Sequence, residues 1–171
     1  MNCMNEPVIN KVAESGLVSL DPADFYPTET IKLFDLKDHL FMGLILKEKD
    51  FRTALQNTDW QQYKDAAVGI VCSADAIIPL WAYMLVASSL EPVAAFIMKG
   101  NEEQVLEALF LRNISAVSPE KFSDQRIVVK GCGEKQIPES IYVALTQLLR
   151  PFAKSIFFGE PCSTVPVFKK K

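Results

Sequence analysis

The sequence predicts an α/β protein: a mostly parallel sheet covered by helices, built from two duplicated strand-helix-strand units inside one domain spanning residues 1 to 171. Two observations carry this prediction. First, a single fixed offset, the 59 positions between Asp65 and Asp124, superposes Ile78-Pro79 on Ile137-Pro138 and Tyr83 on Tyr142. The same offset brings Leu90 onto Leu149, Pro92 onto Pro151, Ala94 onto Ala153, Ile97 onto Ile156 and Gly100 onto Gly159, without a gap. Matches at one fixed period mark an internal repeat, here residues 65 to 100 and 124 to 159. Second, each copy reads as an apolar run, a polar turn, a helix and another apolar run. That alternation builds parallel sheets through right-handed crossovers.

In chain order, residues 1 to 60 read as an N-terminal extension packed on the same domain. Residues 8 to 15 suit a short helical piece, and the stretch around Pro22 and Pro27 reads as irregular chain. Residues 31 to 36 alternate weakly, as a strand does. Residues 37 to 47 fit helix and strand equally well. Residues 48 to 57 place Phe51, Ala54 and Leu55 three and four apart, which is helical spacing. Trp60 and Tyr63 then plug the next strand against the first layer.

Residues 68 to 72 and 127 to 129 are apolar on both faces, as parallel strands covered by helices should be. Each is followed by a helix whose first turn tolerates proline, because the early amides have no intrahelical acceptor. The expected apolar stripe is Leu80, Tyr83, Met84 and Ala87 in the first copy, and Ile141, Val143, Ala144, Leu145 and Leu148 in the second. Both helices stop before Pro92 or Pro151, since proline disfavours helical geometry in its predecessor. Residues 102 to 111 form a linking amphipathic helix. Residues 165 to 168 form a terminal edge strand, where Pro166 can do without the amide that a central strand needs.

Composition narrows the function classes. With 49% apolar and 23% charged residues the chain is globular, and its net charge of −3 provides no broad basic face for nucleic acid. The longest apolar run, residues 74 to 90, contains Asp75 and Pro79 and reads as a buried helix, so no membrane span is expected. Residues 1 to 18 lack the pattern of a signal peptide. The four cysteines have no CxxC spacing, and a core of this size needs no staples, which points to a reducing cytoplasm. The apolar, aromatic-rich composition makes a homodimer the expected assembly.

The chemistry-bearing residues gather at predicted strand ends. Cys72 ends one first strand, and Cys132 lies at the corresponding end of the other, one register step apart. Cys162 follows the last strand of the second copy, so topology alone assigns all three to one rim. Soft thiolates bind zinc or iron–sulfur centres, so these cysteines, with Asp75 or Glu160 completing the shell, form a candidate metal site, zinc first. Cysteine is also among the most buried residue types, and pure packing, in a structural or oligomerisation domain, is the plain reading.

The loop Lys130-Gly131-Cys132-Gly133-Glu134-Lys135 has a further reading as a cradle for a small anion, without metal and with Cys132 as a reactive thiol. It lacks the GxxxxGK[ST] and GxGxxG patterns of nucleotide sites. No catalytic constellation stands out. His39, the single histidine, lies in an apolar neighbourhood, and acids near helix starts such as Glu134 and Glu139 stabilise a helix without doing chemistry.

Several stretches are similar to a bacterial family, the domain of unknown function 2480 family. They are Phe34-Asp35-Leu36-Lys37-Asp38, the run from Gly43 to Arg52, Cys72-Ser73-Ala74-Asp75-Ala76-Ile77, Lys130-Gly131-Cys132-Gly133 and the run from Phe158 to Pro166. The resemblance covers nearly the whole chain from about Val8 onward. It implies that the segments around Cys72, Cys132 and Cys162 belong to the family pattern and that His39 does not. It supplies no reaction.

Overall fold

In the computed structural model, residues 16–131, 133, 135–160 and 162–171 are described. In chain order they form β1 (Leu17–Leu20), β2 (Ile31–Asp35), α1 (Glu48–Gln56), β3 (Ala67–Val71), α2 (Leu80–Leu90), β4 (Phe96–Lys99), α3 (Glu102–Ser115), β5 (Arg126–Val129), α4 (Glu139–Leu149), β6 (Ser155–Glu160) and β7 (Ser163–Lys169). Short 3-10 turns occupy Pro22–Phe25, Leu36–His39, Trp60–Tyr63 and Pro119–Phe122. The α/β class is as the sequence predicts, and all strand pairings are parallel except that of β6 with β7.

The strands make two sheets, ordered β2-β3-β4 and β1-β5-β6-β7. Correspondingly, the chain divides into two compact units. One is Pro27–Leu109; the other joins the residues up to Tyr26 with Phe110–Lys171. The reading of one rim carrying Cys72, Cys132 and Cys162 presumed a single sheet and is corrected here. Cys72 follows a strand of the first sheet, and Cys162 follows a strand of the second. Periodicity identifies a strand but not the strand it pairs with, and β1 and β2, both in the N-terminal region, each extend a different sheet.

In the unit Pro27–Leu109, α1 and α2 cover one face of the sheet. Phe51, Leu55, Ala82, Val86 and Leu90 pack there with Phe34, Val68 and Ile70. Val105 and Leu109 of α3 meet Ala67 on the other face. The alternation of Ala67 and Val68 is the two-residue period of a strand buried on both sides. The α3 helix starts in a capping box, Asn101 Oδ1 accepting from the Gln104 amide at 2.9 Å and Gln104 Oε1 from the Asn101 amide at 2.9 Å. Trp60 and Tyr63 do plug the sheet. Their rings lie 5.6 and 6.2 Å from that of Phe34.

The expected stripe on α2 needs correction. Leu80 and Met84 are 81% and 72% exposed, while Ala82, Val86 and Leu90 are the buried positions. This helix, LWAYMLVASSL, is apolar all round, so spacing alone cannot say which face meets the sheet. On α4 the buried set is Ile141, Leu145 and Leu149, with Val143 exposed. In the unit containing β1, Ile127, Val128 and Val129 bury both faces of β5. The terminal strand lies at the sheet edge as predicted, antiparallel to β6. The expected helical piece at residues 8 to 15 lies outside the described residues.

Elements of the two units recur at the same spacing that separates Asp65 from Asp124. The 3-10 turns Trp60–Tyr63 and Pro119–Phe122 lead to Asp65 and Asp124, both in the left-handed region with φ of 57° and 56°, a conformation uncommon outside glycine. Their amides donate to Val93 O and Phe152 O at 2.9 and 3.0 Å. Pro79 and Pro138 each occupy the N-cap of the helix that follows. Upstream, an aspartate caps a 3-10 turn at the end of each strand: Asp21 directly after β1, and Asp35 as the last residue of β2.

Candidate functional site

Ligands of parallel α/β sheets gather beyond the carboxyl ends of the strands. In the unit containing β1 that rim carries a cleft of 590 Å³, within the usual range of small-molecule sites. Asp21 reaches it from the end of β1, Gly131 and Gly133 from the loop after β5, and Phe158 from β6. Lys135 leads into α4, which contributes Glu139 and Tyr142.

Each wall has a local cause. Asp21 Oδ1 accepts from the Ala23 amide at 2.9 Å, and Oδ2 accepts from Lys130 Nζ at 3.3 Å. The Phe158 ring meets Tyr142 edge-on at 5.7 Å. It also lies so close over Gly131 that a β-carbon there would stand 2.1 Å from Phe158 Cζ. The loop therefore needs glycine at this position to let an aromatic ring form the wall. The Lys135 ammonium stands 4.1 Å from the Tyr26 ring centroid, which holds its flexible stem by cation–π attraction. The N-cap of α4, Pro138, makes no side-chain cap bond. One residue from the wall, the hydroxyl of Ser140 is buried and finds no hydrogen-bond partner among the described residues.

The corresponding rim of the other unit is tied shut. Asp35 accepts from the Lys37 amide at 3.0 Å, the Ser73 amide at 3.0 Å and the Ser73 hydroxyl at 2.6 Å. Partial desolvation pushes its carboxyl up, but the hydrogen bonds from Ser73 and Lys37 and the Lys37 charge together outweigh this and hold it below the ordinary 3.8. The sign of the pH effect follows. A carboxyl depressed in the folded state stabilises the fold above its unfolded pKa, and the contribution is lost as pH falls below 3.8 through the folded value. Asp35→Ala is expected to cost about 1–2 kcal/mol at neutral pH and to flatten the stability profile below 3.8, as read by urea melts across an acid series.

The sequence-predicted residues divide between the units. Cys72 is half-buried, its thiol donating to Ala74 O at 3.6 Å. It neighbours the Tyr83 phenol, whose pKa is raised by burial and then by Cys72. Asp75 is exposed in the following turn. Cys162 is exposed in the β6–β7 turn, beyond half-buried Glu160. Cys132 and Glu134 lie outside the described residues. Among the described residues, no three His, Cys, Asp or Glu side chains gather as a metal-holding group.

His39 stacks on Phe34 at 5.2 Å and meets Phe51 edge-on at 5.2 Å. Burial lowers its pKa against the opposing pull of Asp38 and Asp35, so it is a packing ring held neutral at pH 7. Asp21 and Phe158 are the cleft residues that motif reasoning missed. The available signal for Asp21 was its place at the end of a short strand, directly before Pro22, as Asp35 stands before Leu36.

A family model described as a protein of unknown function (DUF2480) matches residues 6–170. No curated protein and no solved structure matches the chain. Among the described residues, no helix is long and apolar enough to cross a membrane.

Proposed function

The chain belongs to the DUF2480 family, and from its site we propose that it binds a small anionic molecule, without metal, in the cleft beyond β1, β5 and β6. The observation that carries this reading is the contrast between the two rims. Asp35 is closed over by Ser73 and Lys37, whereas Asp21, at the matching strand end, opens into 590 Å³ of space. Lys135 and the uncapped first turn of α4 supply positive potential for an anionic group. Tyr142 and Phe158 supply an apolar wall for its body. In sequence, Cys132 lies between Gly131 and Gly133 of the cleft lining.

The recurrence of elements supports descent of both units from one duplicated ancestor, with the open rim retained for binding. The free thiols Cys72 and Cys162 fit a reducing cytoplasm. The net charge of −3 argues against nucleic acid as the ligand.

Inorganic phosphate, sulfate and simple carboxylates are the probes, read by thermal shift. A probe at about 100 times its Kd should add roughly 2.7 kcal/mol, a rise of several degrees. Lys135→Glu should abolish the rise while leaving the far-UV circular dichroism of the unliganded protein unchanged. No rise with any of these probes would overturn the proposal.

A second reading, zinc held by Cys132, Cys162 and Glu160, has one observation in its favour. The Phe158 ring on Gly131 joins the loop bearing Cys132 to the strand that leads to Glu160 and Cys162. Stoichiometric zinc in untagged protein, by elemental analysis, would favour this reading over the anion site.

A further inference from the structure

We infer that the carboxyl-end rim of the β2-β3-β4 sheet is a self-association surface, and that its occupant is a second copy of this chain. Six large apolar side chains there are more than about 60% exposed: Met42, Leu44, Ile45, Ile77, Leu80 and Met84, between 61% and 94%. Three lie in the loop after β2 and three in the turn after β3 and the first half of α2. The structure holds these two segments together. Ser73 is bonded to Asp35 at 2.6 and 3.0 Å, and the Phe51 ring touches both His39 and Trp81, at 5.2 and 6.2 Å.

The apolar tip of the first segment is a built feature. Phe41 and Ile45 form an antiparallel bridge across a tight turn. Met42 and Gly43 are both left-handed at the tip, with φ of 51° and 72°, and Lys47 stands 3.2 Å from the centroid of the Phe41 ring. The turn thus presents Met42, 81% exposed, at its tip.

Size and charge select the occupant. At roughly 100 Å² of apolar surface per side chain, the six expose on the order of 450 Å², comparable to the largest patch on a typical monomer. With the usual apolar share of about 57%, this corresponds to about 800 Å² per partner, the area of a standard stable interface. The two segments carry both signs: Lys37, Asp38 and Lys47 are exposed in the first and Asp75 in the second. Under a two-fold axis, each sign can meet its opposite on the partner copy. An anionic lipid surface would call for lysine and arginine alone.

Sedimentation of the full chain tests this, independently of the cleft. Wild type is expected at twice 19.1 kDa at micromolar concentration. Ile77→Asp with Leu80→Asp should weaken the dimer at least about 100-fold while leaving the far-UV circular dichroism unchanged, because both positions are exposed in the single chain. Val165→Asp, at an exposed position of β7 in the other unit, should leave the dimer intact. The inference is overturned if wild type stays monomeric, if the dimer survives the double substitution, or if Val165→Asp dissociates it equally. Flotation of monomeric protein with phosphatidylglycerol vesicles would overturn it in favour of a membrane.

Discussion

Gly69→Ala is expected to cost about 3 kcal/mol or more. Gly69 sits mid-strand in β3, paired with Leu33 on one side and Met98 on the other. A β-carbon there would stand 2.4 Å from Gly100 O, 2.8 Å from Leu33 Cδ2 and 2.9 Å from Val105 Cγ2. The two side chains could yield by rotation, but the carbonyl is backbone at the end of β4, and the Gly100 amide is itself bonded to Ile70 O at 3.1 Å. Relief would require the α3 side of the sheet to separate from β3. Gly133→Ala is the control. Among the described residues nothing lies within 4 Å of its added carbon, so its urea midpoint should match wild type. Equal midpoints for both variants would contradict the close approach of β3 to the start of α3.

Phe51→Ala should cost about 3–5 kcal/mol, a large part of the 5–15 kcal/mol by which a typical domain is stable. The ring is 1% exposed, and its contacts with His39 and Trp81 make it the common neighbour of the loop after β2 and the start of α2. Loss of the ring therefore opens a cavity and unties two segments. Trp81 is one of only two tryptophans, so its emission should shift to the red as its surroundings hydrate. Phe51→Leu keeps most of the volume and should cost under about 1.5 kcal/mol. An alanine variant as stable as the leucine variant would show that this corner of the core collapses around the gap.

What the sequence made legible follows from what periodicity measures. The strands at Ile31–Asp35 and Ala67–Val71 and the helix at Glu48–Gln56 were readable because each has its own local pattern of apolar spacing. The face of α2 was not, because Leu80, Met84, Ala82 and Val86 are apolar alike and only contact with the sheet distinguishes them. The partition of strands between two sheets was equally hidden. Leu17 pairs with Arg126 and Ile31 with Ala67, and nothing local to either segment names its partner. The cysteines drew attention by their chemistry and the loop from Lys130 to Lys135 by its glycines. Asp21 did not, since an aspartate before a proline looks like an ordinary turn until a cleft opens beside it.

The interruption of one unit by the other sets an order of assembly during synthesis. Residues 27 to 109 are contiguous and can close their sheet as soon as α3 begins to emerge. The strand β1, made first, has its hydrogen-bonding partner β5 still unsynthesised, and Asp21 waits for Lys130, 109 residues downstream. At about 5–20 residues per second, β1 spends roughly 5–20 seconds as an unpaired edge. It is short, four residues long, and only Leu20 in it is buried in the finished fold. A strand this short is a poor template for mispairing, so a segment that must wait for its partner can do so with little risk of aggregation.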